Sequence, residues 1–140
     1  DVIDYEWIYR QIDEDAQRYD LQEIGFDRWG AAAIYLWMAN RGLTVVQIGQ
    51  GYASMSAPMK EVEKLIVSRQ LAHGDNPVLT WMAYNMVAQR DAAGNIKPDK
   101  KNSGEKIDGM VALVMGVARA TLHDPEAGRS IYEERDVREL

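Results

Sequence analysis

The stretch Leu21-Gln22-Glu23-Ile24-Gly25-Phe26-Asp27 alternates apolar with polar or small residues, as a strand packed on one or both faces does. Downstream, Leu43-Thr44-Val45-Val46-Gln47-Ile48 is β-branched and apolar and is closed by Gly49-Gln50-Gly51, the pattern of a buried strand and a turn. Between them Ala31, Ile34, Tyr35, Met38 and Ala39 fall on one helical stripe, and Asn40-Arg41-Gly42 puts glycine where a left-handed helix end wants it. Residues 21–48 therefore read as strand, helix, strand. A helical connection of this length implies parallel strands with a right-handed crossover, and so an α/β fold.

Working outward, Tyr5, Ile8, Ile12, Ala16 and Tyr19 recur at three- and four-residue steps behind Asp4, a good N-cap, which predicts an amphipathic helix. After the strand unit, Ser56-Ala57-Pro58 is expected to open a helix with Met59, Val62, Leu65 and Ile66 on its apolar face. Asn76-Pro77 starts another through Val78, Leu79 and Met82, since proline in the first turn forfeits no hydrogen bond. Residues 86–90 and 96–97 flank the glycine-bearing loop Asp91-Ala92-Ala93-Gly94-Asn95, which predicts a hairpin. A last helix is expected over 103–122, with Ile107, Met110, Val111, Val114, Val117 and Ala118 at helical spacing. Residues 123–140 read as a polar, acidic tail.

The 140 residues, 46% of them apolar, suit one domain able to bury a core without staples. Cysteine is absent, which rules out disulfides, thiolate metal sites and a cysteine nucleophile, and suits a reducing compartment. No run is long and apolar enough to span a bilayer, so no membrane is expected. Sixteen basic against 22 acidic residues give a net charge of −6. A domain of that sign does not coat nucleic acid by bulk electrostatics, and any contact with a polyanion has to be local.

Three features carry candidate chemistry. Asp27 stands at the end of a parallel strand, where α/β sheets open their ligand crevice, although an N-cap for the next helix is the plainer role. Asp108 stands in the first turn of the last helix, beside its buried stripe, where an aspartate also serves the helix dipole. Such carboxylates are the hard oxygen ligands that Mg²⁺ or Mn²⁺ takes, but a pair of ions needs three or more of them. Lys97, Lys100, Lys101 and Lys106 form a local positive run leading to Asp108, able to hold backbone phosphates or to be a solvated loop. His73 and His123 have no partner at ligand spacing, the tryptophans and methionines read as core and rim, and Gly49-Gln50-Gly51 is a weak nucleotide signature.

Five ordered blocks are more specific than any single motif. Phe26-Asp27-Arg28-Trp29-Gly30, the run from Gly49 to Pro58, the run from Asn76 to Asn85, the run from Asp91 to Lys100, and the run from Glu105 to Leu113 resemble the large terminase subunit of tailed bacteriophages. The resemblance is to its C-terminal nuclease domain, of the HK97 type, and covers most of residues 1–122. It implies a ribonuclease H-like α/β fold with a mixed sheet flanked by helices, partial here because the family's opening strands are expected upstream. It further implies a two-metal-ion endonuclease, using Mg²⁺ or Mn²⁺, that cuts concatemeric double-stranded viral DNA during genome packaging in the cytoplasm of the bacterial host.

Carried over by position, Asp27 matches the family's metal-binding aspartate on a central strand and Asp108 the aspartate that opens its last helix, both as catalytic metal ligands. A further family aspartate belongs to the first strand. The lysines at 97, 100, 101 and 106 would meet DNA phosphates, and the implied partners are double-stranded DNA, the terminase small subunit and the portal protein. A rival reading makes the chain a noncatalytic module, with the tail 123–140 and the outer helices docking on the portal or other packaging subunits.

Overall fold

The computed structural model describes residues 4–27 and 32–123. The order of elements is α1 (Tyr5–Arg18), β1 (Ile24–Phe26), α2 (Ala32–Asn40), β2 (Val45–Gln47), α3 (Tyr52–Val67), α4 (Pro77–Asn85), β3 (Ala88–Arg90), β4 (Ile96–Pro98) and α5 (Asp108–His123). The chain divides into two compact units, one up to Gln50 and one from Gly51 onward. The tail predicted over 123–140 lies, past His123, outside the described residues.

In the first unit α1 begins where Asp4 accepts the Glu6 amide at 3.0 Å, and it carries Glu6 in its first turn and Arg18 in its last, both matched to the helix dipole. None of its residues is buried. It is held instead through aromatic contact: Tyr9 stacks on Trp37 of α2 with centroids 4.3 Å apart, and Arg41 lies 3.7 Å over the same indole while its Nε donates to Asp13 at 3.2 Å. Strands β1 and β2 pair in parallel with Ile24 opposite Val45 and Phe26 opposite Gln47, as the strand, helix, strand reading requires. Gly42, at φ 72°, ends α2 in the left-handed conformation that an L side chain resists.

In the second unit the core is rich in methionine. Met55, Met59 and Val62 of α3 meet Met110, Val111, Val114 and Met115 of α5, with Ile96 and Ile107 alongside, all buried. Helix α4 starts as expected: the Asn76 side chain accepts from the amides of Val78 and Leu79, both at 3.0 Å, with Pro77 in the first turn. The hairpin is also as expected, antiparallel with Gln89 opposite Lys97. Its loop is closed by Asp91, whose carboxylate accepts from the backbone and side-chain amides of Asn95, both at 2.8 Å, while Gly94 takes φ 79°.

Three expectations need correction. Helix α3 begins at Tyr52, not at Ser56-Ala57-Pro58, and Pro58 lies inside it. Proline there forfeits a hydrogen bond and crowds the preceding turn, at about 3 kcal/mol; burial of Met55, Ser56 and Met59 on either side offsets that cost. Helix α5 begins at Asp108, five residues after Ser103, because Ser103 is taken into the loop that follows β4. And in place of one mixed sheet, the described strands form two separate ladders, one parallel and one antiparallel, since Gly51 turns the chain from β2 directly into α3 rather than into a further paired strand.

Met55 is wholly buried. Met55→Ala is expected to lower the unfolding free energy by about 2–5 kcal/mol, read from the shift in urea midpoint at unchanged slope.

Candidate functional site

Asp27 directly follows β1, at the C-terminal end of the parallel ladder, and is half-buried. This is the end at which α/β sheets receive ligands. The turn into α2, residues 28–31, lies outside the described residues, and with it the test of a capping role for Asp27.

Asp108 is the first residue of α5 and its side chain is 66% exposed. Its place is fixed by its neighbours rather than by its own burial. Ile107 is buried and its carbonyl accepts the Val111 amide at 3.0 Å, closing the first turn. The Gly109 amide donates to Sδ of Met82 at 3.1 Å, and a Cβ at position 109 would stand 2.8 Å from that sulfur. The start of α5 is thus pressed against α4, so the Asp108 carboxylate projects from rigid backbone at the positive end of a helix.

Between β4 and α5 the chain is organised by Asp99, whose carboxylate accepts from the backbone amides of Lys101 (3.1 Å) and Asn102 (3.0 Å) and from Nδ2 of Asn102 (2.7 Å). The Asp99 amide donates to the Val87 carbonyl, and the Val87 amide to the Ser103 hydroxyl. The bonds from the Asn102 side chain and amide hold the Asp99 carboxyl below the ordinary carboxylate range, aided by Lys101 and by the charge of Lys97. This wrap sets the direction of Lys100, whose Nζ donates to Oδ1 of Asp108 at 3.3 Å.

The four lysines therefore separate. Lys100 meets Asp108; Lys97, on β4, lies 4.9 Å over the ring of Tyr52; Lys101 and Lys106 are exposed on the approach to α5. His73 lies 4.0 Å from the Asp75 carboxylate, and His123 ends α5. Asp27 and Asp108 belong to different units, and each is placed within its own. Among the described residues no three histidine, cysteine or carboxylate side chains assemble as a metal-ligand group. The sequence reading missed Asp99 and Asn102 and gave Ser103 to the start of the last helix, although an aspartate followed by asparagine and serine at three and four residues is a turn signal, and it missed Tyr52 as the partner of Lys97.

The sequence model of one family, terminase large subunit, endonuclease domain, matches residues 1–124. The chain belongs to this family. It is similar to the terminase large subunit of Enterobacteria phage HK97, 38% identical over 133 residues, covering 90% of this chain and 25% of that protein. It is also similar to protein YmfN of Escherichia coli strain K12, 37% identical over 127 residues, covering 89% of this chain and 28% of that one. Among solved structures it resembles the crystal structure of the HK97 bacteriophage large terminase, with a TM-score of 0.75 at 37% identity over 84% of this chain and 25% of that one. The terminase endonuclease-family chain thus spans about a quarter of the length of these relatives. No helix among its described residues is long and apolar enough to cross a membrane.

Because the folded-state pKa of Asp99 is lowered, the stability its ionised form contributes is present above the ordinary carboxylate pKa of about 4 and is lost as pH falls through the folded value. The protection factors of the Lys101 and Asn102 amides, each taken against the unstructured rate at the same pH, are expected to fall as pH drops below the ordinary carboxylate range, and in Asp99→Ala to be low at neutral pH as well, by NMR. Lys100→Gln is expected to change stability by less than about 1 kcal/mol, because both ends of the ion pair are exposed.

Proposed function

We propose that this chain is the ribonuclease H-like nuclease part of a viral DNA-packaging terminase, a metal-dependent endonuclease that cuts concatemeric double-stranded DNA. The observation that carries the reading is the family match over residues 1–124, a range that includes both Asp27 and Asp108. The site residues of the reading are Asp27 and Asp108, as ligands of Mg²⁺ or Mn²⁺. Both are hard oxygen donors, one at the ligand-receiving end of a parallel strand pair and one on a rigid helix start with most of its side chain exposed. A pair of ions takes three or more such carboxylates. When bound, the metal supplies Lewis acidity and lowers the pKa of a coordinated water.

The chain's own residues do the rest. Lys97, Lys100, Lys101 and Lys106 neutralise backbone phosphates and read no sequence, because phosphates carry none. Lys100 has a further role. Its Nζ donates to Oδ1 of Asp108 at 3.3 Å, and in this reading it would orient that carboxylate toward a bound metal. Within the reading, residues 1–122 are the nuclease portion, the packaging partners are the terminase small subunit and the portal, and the site of action is the cytoplasm of the bacterial host.

The test is Mn²⁺-dependent nicking of supercoiled plasmid. Asp27→Asn and Asp108→Asn are each expected to abolish cutting with the fold intact by circular dichroism, and full cutting by either variant overturns the assignment of that residue. Replacing the four lysines with glutamine is expected to weaken DNA binding and to flatten log K against log salt by about 0.9 for every phosphate contact removed; an unchanged slope removes the lysines from the reading.

A further inference from the structure

The ion pair of Lys100 with Asp108 is exposed at both ends, 58% and 66%, and joins residues eight positions apart. A pair of that kind adds little stability, because water screens it and the lysine loses rotamer freedom in making it. The chain around it is nonetheless closely held. Asp99, immediately before Lys100, is only 9% exposed and is the one charged residue buried among those described. Its carboxylate accepts from the amides of Lys101 and Asn102 and from Nδ2 of Asn102. Its own amide donates to the Val87 carbonyl at 2.8 Å, and its carbonyl accepts from the amide and the hydroxyl of Ser103, at 3.0 and 2.7 Å. Every polar group of Asp99 is therefore committed, and the commitments fall on both sides of Lys100. The strand that leads to it is anchored as well, since the Ile96 amide donates to Oγ of the buried Ser56 of α3 at 3.1 Å.

We propose that Asp99 is a positioning residue of the nuclease site, acting through Lys100 by holding its ammonium against the Asp108 carboxylate. This role rests on the nuclease reading of Asp108. Asp99 itself meets no reacting atom, because its oxygens are taken by its own loop. What it supplies is preorganisation. A lysine in a free loop samples many backbone and rotamer states, and the Asp99 wrap removes the backbone part of that freedom before any ligand arrives. The end that Lys100 meets is fixed too: Asp108 starts a helix whose next residue, Gly109, donates its amide to Sδ of Met82 at 3.1 Å. A locked residue behind each member of an exposed pair is the arrangement that keeps a functional geometry, not one that adds stability. The same contacts set the chemistry of the test. Both loop amides donate to Oδ1 of Asp99, an oxygen that asparagine retains and alanine lacks.

Two comparisons on the full 140-residue chain test it. In the metal-free protein the nitrogen-15 signal of Lys100 Nζ is followed by NMR. Asp108→Asn is expected to shift it in the unaltered chain and in Asp99→Asn, and to leave it unmoved in Asp99→Ala, where the pair is already lost. With Mn²⁺ and supercoiled plasmid, Asp99→Ala and Lys100→Gln are each expected to slow nicking about tenfold, and together no more than the slower of the two, because they remove one interaction. Asp99→Asn is expected to stay within about twofold of the unaltered chain. Asn102→Ala, which removes only the Nδ2 donor, is expected to follow Asp99→Ala at smaller amplitude, so the test does not depend on Asp99→Ala folding. A shift of Lys100 by Asp108→Asn that persists in Asp99→Ala overturns the proposal. So does a loss in Asp99→Ala that multiplies with that of Lys100→Gln, the mark of a merely structural role, or an Asp99→Asn chain as slow as Asp99→Ala. Nicking that Asp108→Asn leaves intact overturns the nuclease reading and this role with it; the NMR comparison, which needs neither metal nor DNA, then still decides whether Asp99 holds the pair.

Discussion

The contact between α3 and α5 is the constraint on which the second unit depends. Met55 and Val114 have no exposed surface, and the side chains around them come from both helices. Apolar burial at roughly 25 cal/mol per Å² is the dominant favourable term in a small fold, and here it is concentrated along one seam. The seam decides local matters on either side of it. It holds α3 helical through Pro58, and it fixes the axis of α5, so that Asp108 projects from a helix whose next turns are buried. Methionine suits such a seam, being unbranched and able to fill irregular gaps between two helices and a hairpin.

A second constraint is polar. The Asp99 carboxylate satisfies three donors from the two residues beyond Lys100, and through its own amide and that of Val87 it ties the stretch before α5 to the start of the hairpin. Ionised acceptors make the stronger hydrogen bonds, and this one turns an otherwise exposed, lysine-rich loop into a defined wrap. The electrostatics of the candidate site follow from it. Lys100 reaches Asp108, while Lys97, on the other side of the wrap, spends its charge on the face of Tyr52. A net charge of −6 therefore coexists with a locally positive approach to α5.

The first unit is held differently. Its helix α1 buries no residue and depends on the stack of Tyr9 on Trp37 with Arg41 above, while Trp7 is 68% exposed. Planar rings and a guanidinium supply contact area and geometry where a three-residue strand pair offers little core. The strand, helix, strand pattern was legible because alternation and helical spacing are strong periodic signals; the stack was not, because it joins residues nearly thirty positions apart.

The sequence by itself determined what depends on neighbours within about four residues. Asp4 and Asn76 cap their helices, Pro77 opens α4, Gly42 closes α2, and Asp91 with Gly94 and Asn95 turns the hairpin, each through hydrogen bonds or dihedral limits that are local. It also singled out Asp27 and Asp108 as carboxylates on a strand end and a helix start, which is where the structure has them. Only the tertiary structure decided that α3 runs through Pro58, that α5 waits until Asp108, that the described strands form two ladders, and that Lys100 among four lysines meets Asp108. Those outcomes are set by which surfaces are buried together and by which distant donor an ionised oxygen captures, and such energies arise only once the chain has folded back on itself.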